Sequence, residues 1–209
     1  MELICIESID STHKFMCEAI RRGQITQNTA IYALEQRAGI GSRDNEWTSS
    51  KGNLHLNFCT KNLPPDLPLA STSIYYAFLL KELLFSKGSK LWLKWPNDFY
   101  LENKKIGGII SAKIKDFIVV GVGLNLKSAP KNAALLDIDI DLNELVSEFI
   151  KEIEKNFLWK FIFSKYVVEF EKSKEFSVHI NGCEVPLKEA SLYEDGSIFL
   201  QNQRVYSLR

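Results

Sequence analysis

The sequence lacks the residue patterns that hold small proteins together by metal ions or disulfide bonds. Its 209 residues include four cysteines and three histidines, and none of the cysteines form a Cys-x-x-Cys pair. Zinc sites require closely spaced Cys or His ligands, and disulfide frameworks are typical of short, cysteine-rich secreted chains. We therefore expect no zinc site and four thiols in a reducing environment.

An excess of charge and long apolar runs are also missing. The 26 basic residues balance 26 acidic ones, so no overall field attracts nucleic acid or an anionic membrane. Apolar runs such as residues 74–80 are too short to span a bilayer, and residues 1–7 do not resemble a signal peptide. These absences predict a cytoplasmic protein that contacts neither a membrane nor DNA.

Hydrophobic residues make up 45% of the chain, which is enough for a sizeable core. Helical spacing predicts helices that begin near Ser11, Ser71 and Asp141, the last of them continuing to about Phe170. The predicted strands cover residues 3–6, 30–34, 54–58, 91–93, 106–112 and 117–126.

The C-terminal part of the chain has a different character. Asn181-Gly182 and Asp195-Gly196 separate short apolar runs between residues 176 and 208, and such dipeptides are strong hairpin signals. The pattern predicts a small all-β domain of about four strands. We place the domain boundary at residue 170, which gives a ligand-binding domain (1–170) and a small β domain (171–209).

A polar, glycine-bearing stretch over residues 36–47 is the first candidate for chemistry. Gly39 and Gly41 allow backbone amides to approach an anion closely, and Arg43 adds a charge. An ordinary mobile hairpin loop is the alternative. These residues lie within a long polar connection, residues 35–52, and a connection of this length favours a binding loop or a lid.

Two further candidates lie on either side of residue 100. In residues 94–98, Lys-Trp-Pro-Asn-Asp, an amide, a carboxylate and a cation converge after a strand, and such a group could hold a polar ligand or Mg²⁺. In residues 104–110, Lys105 precedes two glycines at the start of an apolar strand. A polar turn and a solvated lysine pair are the respective alternatives.

The fourth candidate is residues 120–125, Val-Gly-Val-Gly-Leu-Asn. Glycines inside an apolar strand weaken it unless something packs closely there. Asn125 could read an adenine edge through its amide, and a β-bulge with a capping Asn is the alternative.

Taken in order, these stretches resemble the biotin protein ligase family. The resemblance rests on Asp-Ser-Thr at residues 10–12, Gln36 with Gly-Ile-Gly at 39–41, Lys-Trp-Pro-Asn-Asp at 94–98, Lys-Ile-Gly-Gly at 105–108 and Gly-Val-Gly-Leu-Asn at 121–125. It covers roughly residues 8–127, and the C-terminal tail resembles the family's small final domain. The run at 94–98, followed by Lys105 and Gly108, is its most specific part.

The resemblance implies a fold and a reaction. The fold would be α/β (α+β), with a mixed, mostly antiparallel sheet covered by helices and a small C-terminal SH3-like β-barrel. The reaction would use ATP and Mg²⁺ to convert biotin to biotinyl-5′-AMP, and would then transfer biotin to a lysine of a biotin carboxyl carrier domain of a carboxylase. No Ser-His-Asp or Cys-His nucleophile is needed for this chemistry, and none is visible in the sequence.

The resemblance also assigns roles to residues, without identifying metal ligands. Lys105 would be the catalytic cation, and Asp98 would assist at the metal or the adenylate. The expected biotin-binding residues are Ser11, Thr12, His13, Gln36, Gly39, Ile40, Gly41, Ser42 and Gly108. The expected nucleotide-binding residues are Arg43, Trp47, Lys94, Asn97 and Asn125.

Two positions depart from the family pattern. His13 stands where the family commonly has Asn, and Ile40 and Ser42 replace the arginines of its usual Gly-Arg-Gly-Arg loop, so how the loop holds the adenylate is open. A lipoate-type ligase and a non-catalytic biotin-sensing module are the alternative functions. The pattern begins close to Met1, so we expect no helix-turn-helix domain and no direct DNA binding, in a monomer or a homodimer.

Overall fold

The computed structural model describes residues 1–42, 45–180 and 182–207. Strands β1–β7 are Glu2–Ile9, Thr29–Gln36, Gly39–Ile40, Glu46–Trp47, Leu54–Thr60, Trp92–Lys94 and Asp98–Leu101. Strands β8–β14 are Lys104–Ile114, Phe117–Leu124, Ser177–Ile180, Cys183–Pro186, Ser191–Leu192, Ile198–Leu200 and Gln203–Val205. Helices α1–α4 are Thr12–Arg21, Thr72–Ser86, Leu142–Glu154 and Trp159–Phe170.

A seven-stranded mixed sheet forms the centre of the molecule, in the order β1-β2-β5-β9-β8-β7-β6. Strand β1 runs parallel to β2, and the other neighbouring strands of this sheet are antiparallel. This arrangement confirms the predicted mostly antiparallel sheet. It also adds strand β7, which the sequence pattern did not reveal, and a short β3–β4 hairpin inside the polar stretch 35–52.

The C-terminal residues form two small sheets. Strands β10 and β11 pair with each other, and β12, β13 and β14 form a separate three-stranded sheet. The part of the chain that the structure describes thus holds five short C-terminal strands instead of about four. A closed SH3-like barrel and a domain boundary at residue 170 stay predictions.

The two faces of the central sheet are covered by different helices. On one face, alternate residues such as Phe58 and Val120 belong to a large core with α2, α3 and α4. On the other face, Cys59 and Val119 pack with Met16 of α1 in a smaller cluster. Since side chains alternate between the faces of a strand, the odd-numbered residues of β5 and β9 lie on the same side as α1.

The predicted helix starts are confirmed. Asp141 Oδ1 accepts hydrogen bonds of 2.9 Å from the amides of Asn143 and Glu144, and Ser11 Oγ caps α1 by accepting from the Lys14 amide at 3.3 Å. Helix α1 does not bury Phe15, whose side chain is 43% exposed. In the described residues, no helix has both the length and the apolar character required to cross a membrane.

The prediction of one continuous helix from Asp141 to Phe170 is wrong. Helix α3 ends at Glu154, and Asn156 adopts a φ of +50°, a left-handed conformation that Asn tolerates better than most residues. The carboxylate of Asp66 then accepts from the amides of Trp159 and Lys160 at 2.9 and 3.0 Å. A carboxylate at this position caps the start of α4.

The turn at residues 94–98 is held by the C-terminal part of the chain. Strand β6 is the edge of the sheet, so its outer amides need partners elsewhere. The Leu93 amide donates to Glu169 Oε1 at 3.0 Å and the Trp95 amide donates to Ser173 Oγ at 2.9 Å. The indole N–H of Trp95 donates to the Gly196 carbonyl at 2.9 Å. These bonds fix where the turn lies.

We predict that Ser173→Ala destabilises the protein by about 1–3 kcal/mol, because it leaves the buried amide of Trp95 without an acceptor. Ser164→Ala in α4 is the matched control, since Ser164 is exposed and bonds the Phe161 carbonyl of its own helix. Urea denaturation would measure both free energies of unfolding. Equal effects of the two substitutions would show that Ser173 does not anchor the turn.

Candidate active site

The register of the central sheet places an aspartate, two glycines and a histidine in one cross-strand row. Asp98 pairs with Gly108, Gly108 with Gly123, and Gly123 with His55. Paired residues lie on the same face of a sheet, which here is the face that carries α1. Neighbouring strands are about 4.8 Å apart, so Asp98 and His55 are separated by roughly 14 Å along this row.

A second row lies two residues further along the strands and faces the same way. It contains Ile110, Gly121 and Asn57. Together the two rows bring Gly108, Gly121 and Gly123 to adjacent positions on one sheet face.

The glycines allow other side chains to lie directly against this face. A Cβ atom on Gly123 would lie 2.7 Å from Cε2 of Trp47, and one on Gly121 would lie 2.8 Å from Nδ2 of Asn57. Both distances are shorter than any normal contact, so the indole and the amide can lie against the sheet only because these residues have no side chain. Close packing explains two of the strand glycines that the sequence singled out.

A cavity of about 490 Å³, including its open mouth, lies over the two rows. It is lined by most of the residues that the sequence proposed, contributed by α1, the β3–β4 loop and the central strands. The proposed residues on its wall are Thr12, His13, Gln36, Ile40, Gly41, Ser42, Trp47, Asn97, Asp98, Lys105 and Gly108.

One end of the cavity is charged. Lys105 Nζ lies 2.6 Å from Asp98 Oδ1, and the two side chains are 37% and 25% exposed. Lys94 lies opposite Asp98 in the pairing of strands β6 and β7. Its ammonium lies 5.2 Å from the centre of the Tyr100 ring. Burial lowers the pKa of Lys94. Lys105 and the neighbouring Lys94, which does not itself line this cavity, outnumber the one carboxylate, so this end has the potential to attract an anion.

The other end carries polar atoms whose hydrogen-bonding capacity is not used. Among the described residues, four buried side-chain atoms have no hydrogen-bond partner. One, the Tyr166 hydroxyl, belongs to the main core. The other three are Trp47 Nε1, His55 Nδ1 and Asn57 Oδ1, which belong to side chains that line the cavity. We refer to these three atoms as the cavity trio.

The cavity trio offers one donor and two acceptors. The indole N–H of Trp47 can only donate. His55 Nε2 lies 3.2 Å from the Ser50 carbonyl, so Nε2 carries the proton and Nδ1 is an acceptor. Burial lowers the pKa of His55 and favours this neutral form. The amide nitrogen of Asn57 is engaged 3.0 Å from His13 Nδ1, which leaves the amide oxygen as the second acceptor.

Gln36 joins the β3–β4 loop to α1. Its Oε1 accepts from the amide and the hydroxyl of Thr12 at 2.9 and 3.0 Å, and its Nε2 donates to Ser49 Oγ at 3.0 Å. A Cβ on Gly39 would lie 2.5 Å from that Nε2. In the described structure, Gly39 and the helix-capping Ser11 support the cavity wall and do not line it.

Of the proposed nucleotide-binding residues that the structure describes, Lys94 and Asn125 do not line this cavity. Asn125 is buried, and its side chain donates to the Ala134 carbonyl at 3.2 Å. Its backbone bonds Ile106 and Leu136 at 2.8 Å each, so Asn125 holds the segment after β9 against the sheet. Arg43 lies outside the described residues. A nucleotide-binding role for any of the three stays a prediction.

A second, larger cavity of about 1540 Å³, including open solvent, adjoins the charged end. The turn at residues 94–98 forms one side of it, and the C-terminal residues Ser177, His179 and Ser207 form another. Asn97 and Asp98 line both cavities. The Asp98 carboxylate, with its ion-paired lysine, therefore lies where the two spaces meet.

Sequence reasoning missed His55 and Asn57. The alternation in residues 54–58 was interpreted as a half-buried strand, yet both polar side chains are at most 2% exposed. One signal was available, because the polar side of this strand carries His and Asn and no charged residue. A strand face in contact with water more often carries Lys, Glu or Asp.

A solved structure with the same fold comes from Helicobacter pylori. It is described as biotin acetyl coenzyme A carboxylase synthetase with bound biotinylated ATP. The two chains are 37% identical with a TM-score of 0.93, and the match covers 99% of this chain and 100% of that one.

Curated relatives are similar over a shorter part of their length. Biotin–protein ligase 2 of Arabidopsis thaliana is 33% identical over 174 residues, which are 74% of this chain and 52% of that protein. The bifunctional ligase/repressor BirA of Escherichia coli (strain K12) is 29% identical over 162 residues, 69% of this chain and 50% of that protein. The chain thus spans about half the length of these relatives.

A protein family also matches this chain, over the strands and the loop that form the cavity. Residues 5–125, more than half of the chain, match the biotin/lipoate A/B protein ligase family. This range includes α1, the β3–β4 loop, the turn at residues 94–98 and both glycine-bearing strands. The chain belongs to the biotin/lipoate A/B protein ligase family.

Proposed function

We propose that this protein is a biotin protein ligase. It would activate biotin with ATP to biotinyl-5′-AMP and transfer the biotin to a lysine of a biotin carboxyl carrier domain. The observation that carries the proposal is a single cavity with the cavity trio at one end and the Lys105–Asp98 pair at the other. Biotin has a ureido ring at one end and a carboxylate at the other.

The cavity trio matches the ureido group in the number and type of its hydrogen bonds. A ureido group has two N–H donors and one carbonyl acceptor, and the trio has two acceptors and one donor. Thr12 and Gln36 line the same cavity and are part of the proposed biotin site. Their side chains are hydrogen-bonded to each other and together form one section of the cavity wall.

The same comparison disfavours lipoate as the substrate. The dithiolane ring of lipoate has no N–H and no carbonyl, so it would cover the cavity trio without bonding it. A buried polar group without a partner costs about 1–3 kcal/mol, and sites built for hydrogen bonds reject analogues that lack them. The geometry therefore supports biotin within a family that includes both kinds of ligase.

The first chemical step requires two anions to meet. A carboxylate oxygen of biotin attacks the α-phosphorus of ATP, a phosphoric–carboxylic anhydride forms, and pyrophosphate leaves. A cation between the reactants reduces their repulsion and stabilises charge on the transferring phosphorus. Lys105 would supply this charge beside the carboxylate, and Asp98 would hold its ammonium in place. Lys94 lies next to them, in the second cavity, where it can meet the phosphates.

The metal is expected to arrive with the nucleotide. Across residues 1–42, 45–180 and 182–207, no group of three or more His, Cys, Asp or Glu residues could hold an ion alone. Mg²⁺ commonly binds through substrate phosphates and one or two carboxylates, and Asp98 is the carboxylate on the cavity wall. We therefore treat the substrate as MgATP.

In the second step, the amine of an acceptor lysine attacks the activated carbonyl carbon. An amide bond forms, AMP leaves, and the amine loses its proton. The wide second cavity meets the first at Asp98 and would give the nucleotide and the acceptor lysine access to the same point. The cytoplasm is the proposed location, in agreement with the use of ATP and with the four unpaired cysteines of the described chain.

Lys105→Ala is predicted to reduce biotin-dependent exchange of pyrophosphate into ATP by about a hundredfold, because loss of a charge that acts on the transition state typically costs about 3 kcal/mol. Stability should change little, since Lys105 is partly exposed and its pair with Asp98 is near the surface. Exchange of labelled pyrophosphate measures the rate, and thermal denaturation measures the stability.

Lys104→Ala is the matched control, because Lys104 is the exposed neighbour on the same strand. It should retain wild-type exchange. Activity of Lys105→Ala within a few-fold of wild type would reduce Lys105 to a surface residue. Exchange that depends on lipoate and not on biotin would instead reject the proposed function.

Trp47→Phe is predicted to weaken biotin binding without destabilising the free protein. The substitution removes the indole N–H, which is the donor of the cavity trio. This N–H has no hydrogen-bond partner in the protein without ligand. Trp92→Phe is the matched control, since its indole N–H donates to the Glu102 carbonyl at 2.9 Å. Trp92→Phe should lower the melting temperature of the free protein and preserve the increase caused by biotin.

Thermal denaturation with and without biotin separates the two effects, because a ligand stabilises by mass action according to its affinity. A tenfold loss of affinity reduces that stabilisation by about 1.4 kcal/mol at saturating biotin. If Trp47→Phe lowered the melting temperature of the free protein and left the biotin-induced increase unchanged, Trp47 would be a packing residue.

A further inference from the structure

Two side chains meet above Gly121 at the uncharged end of the cavity. A Cβ on this glycine would lie 2.8 Å from Asn57 Nδ2 and 3.4 Å from His13 Nδ1. The two nitrogen atoms are 3.0 Å apart. His13 belongs to α1 and Asn57 to β5, so this contact connects the helix to the sheet across the cavity floor.

The hydrogen bond between Asn57 and His13 runs from the amide nitrogen to the imidazole. An amide nitrogen can only donate a hydrogen bond, so His13 Nδ1 must accept and its proton must be on Nε2. His13 Nε2 lies 3.7 Å from Cys17 Sγ, one helical turn further along α1, which completes a chain from Asn57 through His13 to Cys17. Burial lowers the pKa of His13 and raises that of Cys17, so the neutral imidazole and the thiol are the favoured forms.

The consequence for the cavity concerns Asn57. Its amide is completely buried, and a 180° flip would exchange an acceptor for a donor at the cavity wall. While its nitrogen is bonded to His13, its oxygen remains the acceptor without a partner on this residue of the cavity wall.

We propose that His13 is a positioning residue that fixes the Asn57 amide so that its oxygen accepts from a ring N–H of the substrate. The inference rests on the proposed function and deepens it, since it names the pair that selects a cyclic substrate with N–H donors.

The first test is direct and does not depend on activity. Nitrogen-15 NMR of the imidazole rings in the free protein reports which nitrogen carries the proton, and His13→Gln identifies the His13 signal. We expect the Nε2–H tautomer for His13. An Nδ1–H tautomer would overturn the inference, because Asn57 would then bond His13 through its oxygen and present its nitrogen to the cavity.

The second test is a double-mutant cycle read as Michaelis constants for biotin and ATP in pyrophosphate exchange. His13→Leu cannot accept a hydrogen bond and should raise the KM for biotin about tenfold, the loss expected for one misdirected buried hydrogen bond. The KM for ATP should stay within about twofold. In the Asn57→Ala background, His13→Leu should cause no further increase, because the group that it positions is absent.

A conservative variant and a neighbouring residue complete the design. His13→Gln can accept through its amide oxygen and should keep the KM for biotin within about threefold of wild type. Lys14→Ala, an exposed position on the same helix, should match wild type. Additive effects in the cycle, an equal increase in the KM for ATP, or His13→Gln as impaired as His13→Leu would overturn the inference.

The outcomes distinguish this inference from the proposed function. Wild-type protein without biotin-dependent exchange would reject the proposed function. Wild-type exchange with an additive cycle would reject the role of His13 alone. If His13→Leu did not fold, as judged by thermal denaturation, the tautomer measurement on the wild-type protein would decide.

Discussion

The pairing register of strands β5, β9 and β8 is the constraint on which the rest of the site depends. It aligns Gly108 with Gly123 and places Gly121 beside Asn57, so that one face of the sheet has a floor without side chains. A slip of one residue would turn the glycines to the opposite face and bring Val122 into the cavity. One register therefore sets both the open space and the polar atoms around it.

The two ends of the cavity are held by different parts of the chain. The charged end lies beside the edge strand β6. Glu169 and Ser173 accept hydrogen bonds from the amides of Leu93 and Trp95, so the C-terminal third of the chain holds the turn that leads to Asp98. The loop over the cavity is held by Gln36, which bonds α1 on one side and Ser49 on the other. Substrate recognition and charge placement can thus vary separately within one fold.

Local patterns in the sequence were sufficient for elements whose stability comes from their own residues. Strands β8 and β9 and the start of α3 were predicted because periodicity and caps lie within a few residues. The break before α4 was missed because Asp66, which caps that helix, lies 93 residues earlier. His55 and Asn57 were missed for a different reason. Alternation shows which side chains share a face, but it does not show whether that face meets water or an enclosed cavity.

The unpaired atoms of the cavity trio also lower the stability of the protein without ligand. Each buried polar atom without a partner costs about 1–3 kcal/mol, while the net stability of a domain is about 5–15 kcal/mol. Apolar side chains of similar size could have filled this end of the cavity at no such cost. A group of one donor and two acceptors, next to the strand glycines, fits the proposed ligand, which would complete these hydrogen bonds. The Tyr166 hydroxyl, which lies in the main core and lines neither of the two cavities, has no such explanation, and this contrast distinguishes the proposed recognition site from an unpaired polar group inside the core.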